Sequence, residues 1–528
     1  MEAGESGYVV KATRAAQTFM WTGAVDTSWE KGANWTVGGS TATTAPLAID
    51  TVLFPSALGD KTNVVLSARA TVAEVVADSD IFISGAQICS PLYHGGGKLI
   101  LGEDAGFYAN GETLVSNNLE IVGSVAVTPS TTAITTRFYG DLTGSGTLTL
   151  GGTRPNYELA GDNSGFRGTV IAPKDAQDRN NIFLSSPTAA SESTAWTVYS
   201  SGGNNDGFLH FESQTVKFGT LSGNLYFNKM DYSKNVLEIG AIGEDMALGG
   251  SFCYSEGQDS KGNWRVRGSG NDIRKVGVGN LTLTANRVRN VFLADGVVTL
   301  AHGTNSVHQE TRYTFEGGAM AITGKYDSEG NVDFSDPSAL IVDSTSPICF
   351  SNGVNEVHTW ATPLAASNAG GLTKKGAGTL TLSAVPLYTG LTTVEEGTLV
   401  VPDGSALTVN ALSTGSLSGT ASVTYAYPAS TVLAAPATSG NVSYAAPLDI
   451  SNIASIDASA ATLVVGQPYV VVAATSVTGY TKESLAALPF TLPAGAKAEK
   501  WSLKVLTVEG RRCLCIAPKL SGTRIVFR

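Results

Sequence analysis

Along most of the chain, apolar residues alternate with small polar ones over runs of three to six positions. Val64-Val-Leu66, Thr71-Val-Ala-Glu-Val75, Ile81-Phe-Ile83 and Leu119-Glu-Ile121 are such runs. Each is bounded by Gly, Asn, Asp or Ser, so each reads as a short strand between tight turns. Helical periodicity is nearly absent, and Lys482-Glu-Ser-Leu-Ala-Ala-Leu488 is the best helical candidate. One block recurs four times: Gly-x-Gly followed by Leu-x-Leu. The copies begin at Gly95 and Gly97, at Gly144 and Gly146, at Gly277 and Gly279, and at Gly376 and Gly378, the last leading into Leu380 and Leu382. Two glycines fit a tight corner, and the alternation after them puts both leucines on one face of a strand. A turn-plus-strand unit repeated without intervening helices predicts a β-solenoid, in which stacked coils bury a common core.

The unit extends past the block. After Leu382 come Tyr388-Thr-Gly390, Thr392-Thr-Val394-Glu-Glu-Gly397-Thr-Leu399 and Gly404; near 280 the continuation is Val291-Phe-Leu293-Ala-Asp-Gly296-Val-Val298, then Gly303. The copy near 145 continues as Gly165-Phe-Arg-Gly168-Thr-Val170. This is strand, turn, strand, turn, strand, at roughly 20–30 residues per coil, which gives on the order of 13–20 coils between 20 and 410.

Composition supports this reading. Glycine is 60 of 528 residues and charged residues are only 15%, a balance that suits short strands and tight turns and does not suit disorder. The net charge of −11 comes without any Lys/Arg-rich run, which excludes a nucleic-acid footprint. No run approaches the length of a membrane span, so the chain is not expected to cross a membrane by helices. Glu2, Glu5, Lys11 and Arg14 interrupt the first twenty residues, so no signal sequence is read there. Cys89, Cys253, Cys349, Cys513 and Cys515 are too few for a disulfide framework in a chain this long. Cys513-Leu-Cys515 reads as a pair of buried small residues on one strand face.

Five regions follow. Residues 1–18 read as a leader or linker. In 19–60, Trp21, Trp29 and Trp35 suit a cap over the first coils, the alternative being a platform for sugar rings. Residues 61–410 read as the solenoid, and the Ser/Thr/Ala/Pro-rich stretch 411–447 as a linker or loose coils. Residues 448–528 read as a small C-terminal β domain or cap, with a hairpin signal at Val508-Glu-Gly-Arg511.

The stretch Gly371-Leu-Thr-Lys-Lys-Gly-Ala-Gly-Thr-Leu-Thr-Leu, with Tyr388-Thr-Gly and Thr392-Thr-Val-Glu-Glu-Gly-Thr-Leu399 after it, resembles the passenger-associated transport repeat. That repeat is also called the autotransporter-associated β-strand repeat. The copies at 271–300 and 140–171 are looser matches. The Trp-rich opening at 21–54 and the segment Phe218–Phe252 also look like the large surface proteins that carry it. The resemblance implies an all-β fold: a right-handed parallel β-helix, bacterial, secreted or exposed at the cell surface. Autotransporters end in an outer-membrane β-barrel, and the residues after 420 are too few for one.

Candidate chemistry is sparse. Asp327, Glu329, Asn331 and Asp333 cluster oxygen ligands in one loop that a calcium ion could use, although the spacing departs from the EF-hand pattern. Gly202-Gly-Asn-Asn-Asp206-Gly has one copy of something like a calcium nonapeptide. His302, His308 and Glu310 form the only local cluster of its kind, and a solvated turn is the simpler reading. No catalytic residue and no cofactor other than calcium is expected. Trp196, Tyr199, Trp264 and Trp360 are candidate exposed aromatics for glycan contact.

Three functions follow. The first is a non-enzymatic extracellular structural protein: an adhesin stalk, a sheath, or a fibre subunit that self-associates through its strand edges. The second is a glycan-binding surface protein that meets host or neighbouring cells. The third is a polysaccharide-cleaving enzyme, which needs carboxylates converging from adjacent coils.

Overall fold

The computed structural model describes the chain apart from residues 1, 5–6, 10–13, 153–154, 174–180, 199–208, 212–214, 227–234, 252–254, 259–263, 267–270, 285–287, 302–310, 324–336 and 520–528. It is an all-β protein, a parallel β-solenoid of about 15 turns. Two compact units, 1–313 and 314–528, are described in turn.

In the first unit, each early coil lays one strand on each of three parallel sheets. Asn63–Val65, Ile81–Ser84, Leu99–Leu101, Leu119–Ile121 and Leu142–Gly144 stack on the first. The second includes Gly106–Ala109, Ser124–Pro129, Thr147–Leu150, Thr169–Ala172, Ala195–Val198 and Thr220–Tyr226. The third runs from Thr51–Phe54 through Glu74–Ala77 and Leu92–His94 to Asn181–Leu184. A further sheet stacks Thr215–Phe218, Val236–Ile239, Asp272–Lys275 and Asn290–Leu293.

Register converts the alternating pattern into ladders. Ile81, Leu99, Leu119 and Leu142 pair in sequence on the first sheet, all buried. Val52, Val75, Tyr93, Val115, Phe138, Leu159 and Leu184 do so on the third. Burying each large apolar side chain stabilises the stack by roughly 1.5–3 kcal/mol. A one-residue slip would turn every rung outward, so the apolar parity fixes the register.

The first coil is closed by aromatics. Thr18–Trp21 pairs in parallel with Thr51–Phe54 and antiparallel with Trp35–Val37. The rings of Trp21 and Trp29 stand edge-on to Trp35, at 4.8 and 4.9 Å. Each tryptophan is at most 2% exposed, so these rings offer no platform for sugars. Two indole N–H groups find carbonyls: Trp21 Nε1 donates to Lys61 at 3.0 Å and Trp35 Nε1 to Trp29 at 2.8 Å. Within the stretch expected as a leader, Arg14 makes a forked ion pair with the fully buried Asp50.

In the second unit one parallel sheet includes Ile348–Ser351, Leu372–Lys375, Thr392–Val394, Ala406–Asn410, Ser422–Ala426, Leu448–Asp449 and Val477–Thr478. A second stacks Val357–Trp360, Thr379–Leu382, Thr398–Val400 and Ser416–Ser418. A third holds Thr431–Ala434, Ile453–Asp457 and Phe490–Thr491. Residues 411–447 are therefore coils rather than a linker, and stacking passes through 448 without a break. Ala411, Tyr427, Leu433 and Ala435 are buried in the interior there, with Tyr425 and Tyr444 packed against them. The pattern changes at an antiparallel sheet of Tyr469–Ala474, Arg511–Pro518 and Trp501–Val508. Its hairpin turns at Glu509 and Gly510, both with positive φ, as a two-residue turn of the favoured twist requires. The helix Lys482–Ala487 is N-capped by Thr481 in a reciprocal bond with Ser484 and buries Leu485.

Candidate functional surface

The glycine blocks sit at coil corners. A Cβ added at any of their eight Gly-x-Gly glycines would land 2.1–2.4 Å from a backbone carbonyl oxygen of the preceding coil. The first glycine of each block also has positive φ, from +69° at Gly277 to +126° at Gly95. The blocks are therefore consumed by coil-to-coil approach, and Leu380 and Leu382 that follow the last one are buried. The four copies do not occupy one face: Leu99–Leu101 lies on the first sheet of its unit, whereas Thr147–Leu150 and Asn280–Leu283 lie on the second.

Two buried lysines accompany these corners and escaped the sequence reading. Lys275 occupies the inward ladder Phe218, Ile239, Lys275, Leu293. Lys374 occupies the inward position between Phe350 and Val394. Both are 0% exposed. Lys275 Nζ donates to the carbonyls of Val276 (2.8 Å), Gly277 (2.6 Å) and Asp295 (3.5 Å). Lys374 Nζ donates to those of Lys375 (2.6 Å), Gly376 (2.6 Å) and Glu396 (3.4 Å). Burial pulls both ammonium pKa values down from the usual lysine value, and the negative charges of Asp295 and Asp245 at Lys275, and of Glu396 at Lys374, oppose that pull. The signal was present in the sequence as a lysine two residues before the first glycine in both copies.

The expected glycan-contact residues separate. Trp196 is a rung of the ladder Val125, Leu148, Val170, Trp196, Leu221, and it is 2% exposed; Trp360 is 0% exposed. Neither is the exposed aromatic that the sequence suggested, because each takes the inward parity of its strand. Trp264 lies on the strand Trp264–Val266, and its side chain falls outside what is described, as does Tyr199. The loop carrying Asp327, Glu329, Asn331 and Asp333, the segment 202–207, and His302, His308 and Glu310 also lie outside the described residues.

Among the described residues no group of three or more His, Cys, Asp or Glu is placed to hold a metal. Cys89, Cys349, Cys513 and Cys515 are buried free thiols. Burial, then the neighbouring Cys513, pushes Cys515 up to about 12, which keeps it protonated and unreactive. His94 lies 2.8 Å from Glu74, and His358 packs edge-on against Phe350.

The outward positions fall into two kinds. On one sheet Lys217, Glu238, Arg274 and Phe292 form a column. Ion pairs at 3.1–3.7 Å link Lys217 to Glu192 and Glu238, and Arg274 to Glu238. The second sheet of the first unit instead presents two uncharged columns. One is Ser124, Thr147, Thr169, Ala195, continued by the buried Thr220; the other is Ala126, Thr149, Ile171, Thr197, Ser222. Near its last coils the third sheet stacks Phe183 on His210 at 4.3 Å, with Asn181 donating to Asn156 at 2.8 Å beside them. These faces carry hydroxyl, amide and aromatic groups.

The model of the passenger-associated-transport-repeat family matches residues 372–401. No curated protein and no solved structure matches the chain.

Proposed function

Because the chain carries a passenger-associated-transport-repeat on a parallel β-solenoid, it fits an autotransporter passenger-type protein, and we propose that it is a non-enzymatic structural element outside a bacterial cell. An adhesin stalk, a sheath or a fibre subunit each suits the reading. The observation that carries it is the use of the repeated block: the first and third residues of each copy, both glycine, are held against the neighbouring coil, and its leucines fill the core. A repeat spent on stacking serves to build surface rather than a reaction centre. Export to the cell surface accords with the family of the repeat. No helix among the described residues is long and apolar enough to cross a membrane.

The test has two arms. The purified chain is incubated with a polysaccharide panel while new reducing ends are followed, and turnover on any member would overturn the non-enzymatic reading. Light scattering across concentration separates the structural roles: growth with concentration supports a fibre or sheath, and a constant mass supports a stalk.

A second reading, glycan contact, rests on the Phe183–His210 stack beside the Asn156–Asn181 pair. It replaces the buried Trp196 and Trp360 as the aromatic element. Glycan-array binding lost in Phe183→Ala supports it, and binding unchanged by that substitution removes it.

A further inference from the structure

Lysine is a poor choice for an apolar ladder, because burying an unpaired ammonium is costly. Yet Lys275 and Lys374 take the same place twice, in two separate units, with the same three kinds of acceptor. The recurrence has a local cause. The positive-φ corner at Gly277 or Gly376 turns the carbonyls of residues one and two past the lysine toward one point. The next coil then brings a third carbonyl, from Asp295 or Glu396, to the same point. Gly296 and Gly397 let that coil pass close: a Cβ on Gly296 would lie 2.8 Å from Lys275 Nζ, and one on Gly397 would lie 2.5 Å from the Gly376 oxygen. Among the described residues the acceptors of both ammonium groups are main-chain oxygens, while the carboxylates of Asp295 and Asp245 act on Lys275, and that of Glu396 on Lys374, through charge. Such convergence of carbonyl oxygens is the chemistry of a site for a hard or ammonium-like cation.

We propose that the Lys-x-Gly-x-Gly corner, closed by Asp-Gly or Glu-Gly of the following coil, is a monovalent-cation cage occupied by the chain's own ammonium. The cage ties two successive coils together, since its third acceptor exists only when the next coil is seated. Emptied of its side chain, the cage takes a primary alkylammonium ion.

The test uses the full chain. Lys275→Met and Lys374→Met keep most of the volume and remove the charge and the donors. Lys375→Met is the control, because Lys375 is adjacent, half-exposed and paired with Glu395 at 3.6 Å. Each cage variant is expected to lower the Tm of its transition by about 5 °C, a shift typical of losing one to two kcal/mol in a unit of this size, while the control stays within about 1 °C. Lys374→Ala is then melted in ethylammonium chloride and in tetramethylammonium chloride at equal ionic strength. The cage predicts stabilisation by ethylammonium alone, and no difference between the salts for the unsubstituted chain. If Lys374→Ala does not fold in sodium buffer, the same contrast is read as recovered β-sheet signal on refolding in the two salts. Methionine variants at or above the parent Tm, or equal effects of the two salts on Lys374→Ala, overturn the proposal.

Discussion

The corner at Gly95–Gly97 and the corners at Gly277–Gly279 and Gly376–Gly378 share the carbonyl of the first glycine and silence it differently. At the first, the amide of Asn117 comes from the following coil and donates to the carbonyls of Gly95 (3.3 Å) and Gly97 (2.8 Å). At the other two, an ammonium comes from the strand just before the corner and reaches forward to the next coil. The block at Gly144 needs neither, because Arg167 N–H donates to the Gly144 carbonyl at 2.9 Å and Thr169 N–H to that of Gly146 at 3.0 Å. The comparison teaches that the demand for donors is set by the corner, and that the donor itself is interchangeable. A neutral amide supplied by the next coil and a charge supplied from the same coil are alternative answers to one backbone geometry.

The largest expected effect breaks what the corners share. Gly97→Ala and Gly378→Ala each drive a Cβ into backbone, at 2.1 and 2.3 Å from the Ser79 and Gly353 oxygens. Each is expected to cost about 3 kcal/mol or more, read as a fall in the denaturant midpoint of its unit. Equal tolerance of alanine at both would mean that the corners open easily.

Removing a donor comes next. Asn117→Leu keeps the bulk and leaves the Gly95 and Gly97 carbonyls without this amide, an expected loss of about 1–3 kcal/mol by urea unfolding. A neutral outcome would show that the corner needs no donor, and would weaken the parallel with the lysines.

Acid sharpens the contrast, because the donors that serve either kind of corner bond main-chain oxygens rather than carboxylates. Acid sensitivity in the first unit is expected from its aromatic cap instead. There Asp26 is held at about 2 by Lys31 first and then by Asn34 and the Ser28 N–H. A carboxylate held below its unfolded value of about 3.9 adds stability that is present above pH 4 and is lost as pH falls toward 2. Asp26→Asn should flatten the unfolding midpoint over that window by lowering it at pH 7 and changing it little near pH 2. An unaltered acid profile would place the sensitivity elsewhere.

The smallest effect lies within a block. Lys98, between Gly97 and Leu99, points outward to Glu120 at 2.8 Å, both partly exposed. Lys98→Ala is expected to change stability by under about 1 kcal/mol. Set beside Lys275 and Lys374, it separates a lysine on the surface of a coil from one inside it.

Much of the fold was legible because glycine and alternation encode it directly. The strands Leu99–Leu101, Thr147–Leu150, Asn280–Leu283 and Thr379–Leu382 follow their glycine pairs as the pattern requires. Trp196 was legible in principle: in Ala195-Trp-Thr-Val198 the large apolar residues share one parity, which turns inward. Val357-His-Thr-Trp360 gives no such cue, since each parity holds one apolar residue, and only pairing with Thr379–Leu382 decides that Trp360 is buried. The coils of 411–447 were hidden because Ser, Thr and Ala carry little apolar contrast. Lys275 and Lys374 were hidden for the opposite reason. Charge predicts exposure, and the carbonyls that reverse it belong to the backbone, which composition does not display.

The central claim is that the repeated glycine block exists to seat one coil on the next. Hydrogen–deuterium exchange followed by mass spectrometry on Gly378→Ala tests it most directly. Nearest-neighbour stacking predicts lost amide protection in the strands Leu372–Lys375, Thr379–Leu382 and Thr392–Val394, with the antiparallel hairpin Trp501–Pro518 still protected. Protection unchanged at those strands, or lost evenly across residues 314–519, would contradict it.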